Sequence, residues 1–146
     1  MTKRSQQIEN KCPITFALDI FGDKWSLIIL RDMFFKGKRH YGEFLESAEK
    51  ISTNILASRL SKLSNEGLID KRRDPDNAAK YIYLLTEKGK DLLPIVLEMV
   101  VWSSKYDPQP DVPDNIISGA PADLLRRTRE DRPALINEIW SKLPLT

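Results

Sequence analysis

Thr53, Asn54, Ala57, Ser58, Ser61 and Lys62 fall on one side of a helical repeat, and the chain then runs through Lys71, Arg72, Arg73 and Lys80. Short hydroxyl, amide and methyl groups with no negative charge among them suit approach to base edges in a DNA major groove, where each base pair shows its own donor and acceptor pattern. Arg and Lys supply the complementary chemistry, because phosphate binding is independent of sequence and sets register on a duplex. A polar outer face is also the default for any surface helix, so it is the cationic segment following the helix that favours recognition. Bond-breaking chemistry finds little support. His40 is the single histidine and Cys12 the single cysteine, and the chain has no Gly-rich phosphate loop, GxSxG or metal-ligand cluster. No metal, cofactor or enzymatic activity is therefore expected. Asp74 and Asp76 lie at a turn, where carboxylates bond the local backbone more often than they catalyse.

The elements that must position these side chains follow from spacing and caps. Ser52 is a good N-cap, Leu56, Leu60 and Leu63 recur at helical spacing as a core face, and Gly67 after Glu66 suits the left-handed residue that ends a helix. Leu68-Ile69 opens an extended segment, Asp74-Pro75-Asp76-Asn77 reads as a turn, and Lys80 to Leu85 returns as a second strand. Upstream, KWSLIILRDMFF (Lys24–Phe35) is an apolar helix stopped at Gly37, with Trp25, Ile28, Ile29 and Phe35 able to face the core. Tyr41 to Glu46 is a short helical piece. Helix, short helix, turn, helix and hairpin make a winged helix-turn-helix, a mainly α architecture with a small β hairpin (α+β). Lys38 and Arg39 join Lys71, Arg72, Arg73 and Lys80 as expected phosphate contacts.

The runs CPITFALDIFGDKWSLIILRDMFFKGKRHYGEF, ILASRLSKLSNEGLI and YIYLLTEKGKDLLPIVLEMVVW resemble the HxlR-type family of bacterial winged-helix transcription regulators, within the MarR-like superfamily, over residues 11 to 106. The resemblance implies a homodimer on a pseudo-palindromic DNA operator, repressing or activating adjacent genes. It further implies a dimer contact built from the first helix and the long helix after the wing. Several relatives with a cysteine where Cys12 stands sense oxidants or electrophiles, so Cys12 has two readings: a redox sensor, its thiolate favoured by the helix start and adjacent Lys11, or a small residue filling the dimer contact. Where the family usually has an Arg-Phe-Ser run, this chain has His40, Tyr41 and Gly42. That replaces a cation by a group expected to be largely neutral at pH 7 and leaves Gly42 as a weaker cap than Ser.

Thr86 to Tyr106 reads as one long helix carrying a wide apolar stripe, with Pro94 as an expected kink. Leu93, Val96, Leu97, Val100, Val101 and Trp102 are the expected dimer contact, since a single small winged domain leaves part of such a stripe uncovered; the competing reading is cover by the chain's own C-terminal extension. Residues 1–106 form the DNA-binding and dimerisation domain, 107–121 a Pro-rich linker, and 122–146 a helical extension with Leu124, Leu125, Leu135, Ile136, Ile139, Trp140 and Leu143 on its apolar stripe. Charge divides in the same way: residues 1–106 hold 18 Lys+Arg against 14 Asp+Glu, net +4, and residues 107–146 hold 5 against 7, net −2. No apolar run is long enough to cross a bilayer, and the first residues lack a signal-peptide core, which points to the cytoplasm. Two other functions remain open at this level: a winged-helix protein-interaction module, and a regulator binding an aromatic effector between dimer helices near Phe21, Trp25 and Trp102.

Overall fold

Pro13 opens the first described helix at a position where a missing N–H is no loss, and Cys12 precedes it as an extended N-cap. The computed structural model describes residues 12–108 and 121–143. Helix α1 spans Pro13–Phe21, α2 Lys24–Lys36, α3 Tyr41–Leu45 and α4 Thr53–Asn65. Strands β1 (Ile69–Asp74) and β2 (Asn77–Leu85) form an antiparallel hairpin, followed by α5 (Glu87–Lys90), α6 (Leu93–Tyr106), α7 (Pro121–Glu130) and α8 (Arg132–Lys142). The order is that of a winged helix, mostly helical with one two-stranded sheet among the described residues.

Helix ends lie where the side chains dictate. Asp23 caps α2 by accepting from the Ser26 amide at 3.0 Å, and Gly37 stops it in the left-handed region at φ 62°. Ser52 caps α4 by accepting from the Ile55 amide at 3.2 Å, and Gly67 takes up φ 76° just beyond its end. The wing pairs Ile69 with Leu85, Lys71 with Tyr83 and Arg73 with Tyr81; the register then shifts so that Asp74 faces Asn77. That irregularity bends the tip. Ile82 to Leu85 are buried at the root, whereas Asn77 to Tyr81 are exposed.

Ile29, Leu30, Met33, Phe34 and Phe35 of α2 form the centre of the core against Phe44 of α3 and Leu56, Leu60 and Leu63 of α4. Phe44 meets Tyr83 of the wing edge-on, with ring centroids 6.4 Å apart. The same core continues into Leu93 and Leu97 of α6 and Leu124, Leu135, Ile139 and Leu143 of the extension.

Two expectations about the C-terminal half change. The single helix read from Thr86 to Tyr106 is two helices, because Pro94 lacks an N–H and its ring blocks the preceding turn, so α6 can only begin beside it. Of the expected dimer contact, Leu93 and Leu97 are fully buried and Val96 and Val101 nearly so within this one chain. The extension and α2 both pack against α6. Arg132 of α8 pairs with Glu98 of α6 at 2.6 Å, and the Trp140 indole donates to the Lys90 carbonyl at 3.2 Å. Val100 is partly exposed and Trp102 stays outside at 65% exposure. The extension breaks at Asp131 between α7 and α8, two residues before Pro133. Most of the expected linker and the last residues, 144–146, lie outside the described residues.

Thr86 ties the wing to α5: its hydroxyl contacts the Gly67 and Leu68 carbonyls and accepts from the Gly89 amide at 3.1 Å. Gly89 lies so close that an added Cβ would sit 2.0 Å from the Leu68 carbonyl oxygen. Gly89→Ala must push backbone apart and is expected to lower stability by about 1–3 kcal/mol, read as a fall in the urea midpoint at constant slope.

Candidate nucleic-acid interface

The outer face of α4 is what its sequence pattern requires. Thr53, Asn54, Ala57, Ser58 and Ser61 are exposed, with Leu56, Leu60 and Leu63 buried behind them. Lys62 is turned partly aside, its ammonium 3.6 Å from Asp23. Arg59, which spacing alone did not single out, reaches Asp23 more directly, with Nε 2.8 Å from Oδ2, and its Nη1 donates to the Ser58 hydroxyl at 3.2 Å. Partial burial pushes the Asp23 carboxyl up, but the Ser26 hydroxyl and amide and the Arg59 guanidinium outweigh it and hold it at about 2. The cap of α2 therefore also fixes the rotation of α4. Tyr41 adds a second brace by donating to the Thr53 carbonyl at 3.0 Å.

On the wing, strand alternation divides the cations between two faces. Lys71 and Arg73 share a face with Tyr81 and lie over its ring, at 4.3 Å and 4.7 Å from the centroid. Arg73 also donates to the Ala78 carbonyl at 2.8 Å. Arg72 points to the other face and pairs with Asp70 at 3.2 Å, an exposed contact of little energetic weight. Lys80 is exposed near the tip. An open cleft of about 1080 Å³ separates the wing from α3 and α4, with Lys71, Lys80 and Tyr81 on one wall and Ala57 and Ser61 on the other.

The loop before α3 departs from expectation. Lys38 bonds the buried carboxylate of Asp32 at 3.2 Å and is mostly covered, so its charge serves the interior rather than an outward anion. Arg39 is half-buried, and its carbonyl accepts from the Tyr83 amide at 2.8 Å, stitching this loop to β2. His40, not Gly42, is the N-cap of α3: the Glu43 carboxylate reaches back to accept from the His40 amide at 3.0 Å, while Gly42 lies inside the helix. The His40 Nδ1 is 2.7 Å from Glu43 Oε1 and its Nε2 is 2.8 Å from Asp74 Oδ2. Those two carboxylates, Asp74 foremost, raise the imidazole above its ordinary value, contacts that the expectation for this position did not include. Asp74 is correspondingly lowered, chiefly by His40. As expected for a turn carboxylate, Asp74 also accepts from the Asp76 amide at 2.8 Å.

Cys12 is exposed at the start of α1. The Thr15 amide and hydroxyl and the Ile14 amide draw its thiol below the ordinary value; Lys11 lies outside the described residues. Around it Ile14, Phe16 and Leu18 are exposed, and on α6 so are Ile95, Met99, Trp102 and Tyr106. Trp102 and Tyr106 stack with centroids 5.2 Å apart. Phe21 and Trp25 are partly buried and pack against the core. Among the described residues no cluster of His, Cys, Asp or Glu is arranged to hold a metal, and no helix is long and apolar enough to cross a membrane.

Comparison with known proteins agrees with this geometry. The model of the family described as HxlR-like helix-turn-helix matches residues 20–111. An HTH-type transcriptional regulator of Synechocystis sp., sll1512, is 31% identical over 108 residues, covering 74% of this chain and 79% of that protein. The redox regulator HypR in its oxidized form superposes with a TM-score of 0.59 at 32% identity, over 67% of this chain and 100% of that one. The reduced form of the transcriptional regulator YodB from B. subtilis gives a TM-score of 0.57 at 29% identity, over 70% of this chain and 100% of that one. With a winged helix-turn-helix in place and the family's model matched across it, the chain belongs to the HxlR-like helix-turn-helix family and is a DNA-binding transcriptional regulator.

Proposed function

We propose that this regulator acts as a homodimer that represses transcription by occupying a pseudo-palindromic operator. The observation that carries the reading is the outer face of α4, uncharged and open at Thr53, Asn54, Ala57 and Ser58, beside the cationic wing. Those four residues meet base edges in the major groove, and Ser61, Lys62, Lys71, Arg72, Arg73 and Lys80 meet phosphates. Two copies related by a two-fold axis present their reading helices about one DNA turn apart, roughly 34–36 Å. Enzymatic function has no support among the relatives, which are named as transcriptional regulators.

The dimer contact falls on the apolar face that this chain leaves open. Ile14, Phe16 and Leu18 of α1 and Ile95, Met99, Trp102 and Tyr106 of α6 are large apolar side chains left exposed, which supports burial of part of this surface by a second copy. This set replaces the inward residues of the same helix. The extension serves the protomer by covering the back of α6, which frees the opposite face for a second copy.

A second reading is favoured by one observation. Cys12 is exposed, sits at a helix start, and has a thiol drawn toward the thiolate. HypR is named a redox regulator and YodB has been solved after diamide treatment. Oxidation or alkylation of Cys12, beside the exposed face of α1, then disturbs the dimer and releases the operator.

Three measurements test these readings. In gel shifts on the DNA flanking its gene with excess random competitor, the protein is expected to give a competitor-resistant complex. Asn54→Ala should weaken that complex by about 1–3 kcal/mol with little loss on random DNA, whereas Lys71→Ala with Arg73→Ala should weaken both and reduce the salt slope by about 2; equal losses from the Asn54 change on both DNAs contradict base reading. Light scattering should give a dimer at micromolar concentration and a monomer for Trp102→Glu, because a charge would then have to be buried. Diamide should abolish the wild-type shift and spare Cys12→Ser; identical responses exclude the thiol.

A further inference from the structure

His40 stands between two carboxylates on different parts of the fold. Glu43 belongs to α3, 2.7 Å from Nδ1, and Asp74 ends β1, 2.8 Å from Nε2. Both ring nitrogens therefore face acceptors. A neutral imidazole has one N–H and can satisfy only one of them; the other nitrogen then presents a lone pair to a carboxylate oxygen. Only the imidazolium donates to both.

We propose that His40 is a positioning residue for DNA binding, a proton-held latch that fastens the tip half of the wing to α3 and sets the width of the cleft in which a phosphate strand lies. The inference rests on the reading of the wing as a phosphate contact. At its root the wing is already joined to the same loop through the backbone, with Tyr83 N donating to the Arg39 carbonyl. Toward the tip the strands are exposed and the register is broken beside Asp74, so that end gains least from ladder and core. The latch acts on that end. Asp74 directly follows Arg73, and Lys71 and Lys80 line the same cleft as His40, so holding Asp74 also holds the cations at a set distance from α4.

The charged and titratable groups around the latch fix the sign. On α3 these are Glu43 and Glu46, on β1 Lys71 and Asp74, on β2 Lys80, in the preceding loop Arg39, together with the phenols of Tyr41, Tyr81 and Tyr83. His40 is raised by Asp74 and Glu43. A raised histidine stabilises the fold fully below its unfolded value, and that contribution is lost as pH rises through the folded value. Loss of the proton acts twice in one direction: the tip is released, and a positive charge beside the phosphate path disappears. Operator affinity therefore falls as pH rises above neutrality. At low pH the opposite limit is set by Glu43 and Asp74, both lowered by the same contact, which must stay ionised for the latch to hold.

His40 is the single histidine of the chain, which makes the test clean. In a Cys12→Ser background, which leaves no thiol to titrate, the His40 ring protons of the full-length protein are followed by NMR while operator Kd is measured from about pH 6 to about pH 8.5. The expected result is a titration midpoint above the ordinary histidine value of about 6.5 and an affinity about tenfold weaker at the upper pH, with the two curves sharing a midpoint. His40→Arg, which keeps a charge at every pH, should bind tightly and without a pH slope; His40→Gln should bind weakly and also without one. Asp74→Asn should lower the midpoint and flatten the slope while leaving the α4 face intact. A wild-type slope that survives in His40→Gln, or a His40 midpoint at or below the ordinary value, overturns the latch. Absence of a competitor-resistant complex at every pH overturns the DNA-binding reading itself, and the NMR midpoint then still decides whether the latch exists.

Discussion

A carboxylate with no exposed surface, Asp32, sets the conditions for the rest of the fold. A buried charge is tolerated only when paired and hydrogen-bonded, because its desolvation otherwise costs several kcal/mol. Asp32 obtains Arg31 from its own helix at 2.7 Å, Lys38 from beyond the helix end at 3.2 Å, and the Ser47 hydroxyl from the turn between α3 and α4. Arg31 then continues to Glu49 in the same turn, holding that carboxyl at about 2. Satisfying one anion thus draws the end of α2 and the approach to α4 to a single point. Helix α4 can leave that point in few directions.

The same device recurs at two more joints. Asp23 gathers Arg59 and Lys62 from α4 onto the start of α2, and His40 gathers Asp74 from the wing onto the start of α3. Each joint links segments far apart in sequence, and each lies on a helix terminus, where a capping group is needed in any case. Apolar packing among Phe34, Phe35, Phe44, Leu56 and Leu60 supplies the bulk of cohesion. The polar joints add direction, which packing alone specifies poorly.

What was legible in the sequence was local. Ser52, Gly37, Gly67 and the Leu56, Leu60, Leu63 spacing fix helix ends and faces through interactions within a few residues, and these fell where the pattern put them. The setting of His40 was not legible because its partner Asp74 lies thirty-four positions away, which no periodicity reveals. Lys38 looked like an outward cation because nothing in the pattern of α2 marks Asp32, six positions earlier, as a buried partner. The stripe on α6 announced that it must be covered; it did not say by what. Spacing gives the direction a side chain points along its own helix, not the element that arrives there, and here the extension took the positions assigned to a partner.

Tyr81 changes how the wing meets an anion. Lys and Arg each carry about 2 kcal/mol of rotamer entropy, and a flexible cation gives up much of it when it grips a phosphate. Lys71 and Arg73 already rest on one aromatic ring, and Arg73 is further held by the Ala78 carbonyl. Part of their ordering is therefore completed during folding. An anion that approaches the wing then meets a stiffened surface, and less of the electrostatic attraction is consumed in freezing its side chains.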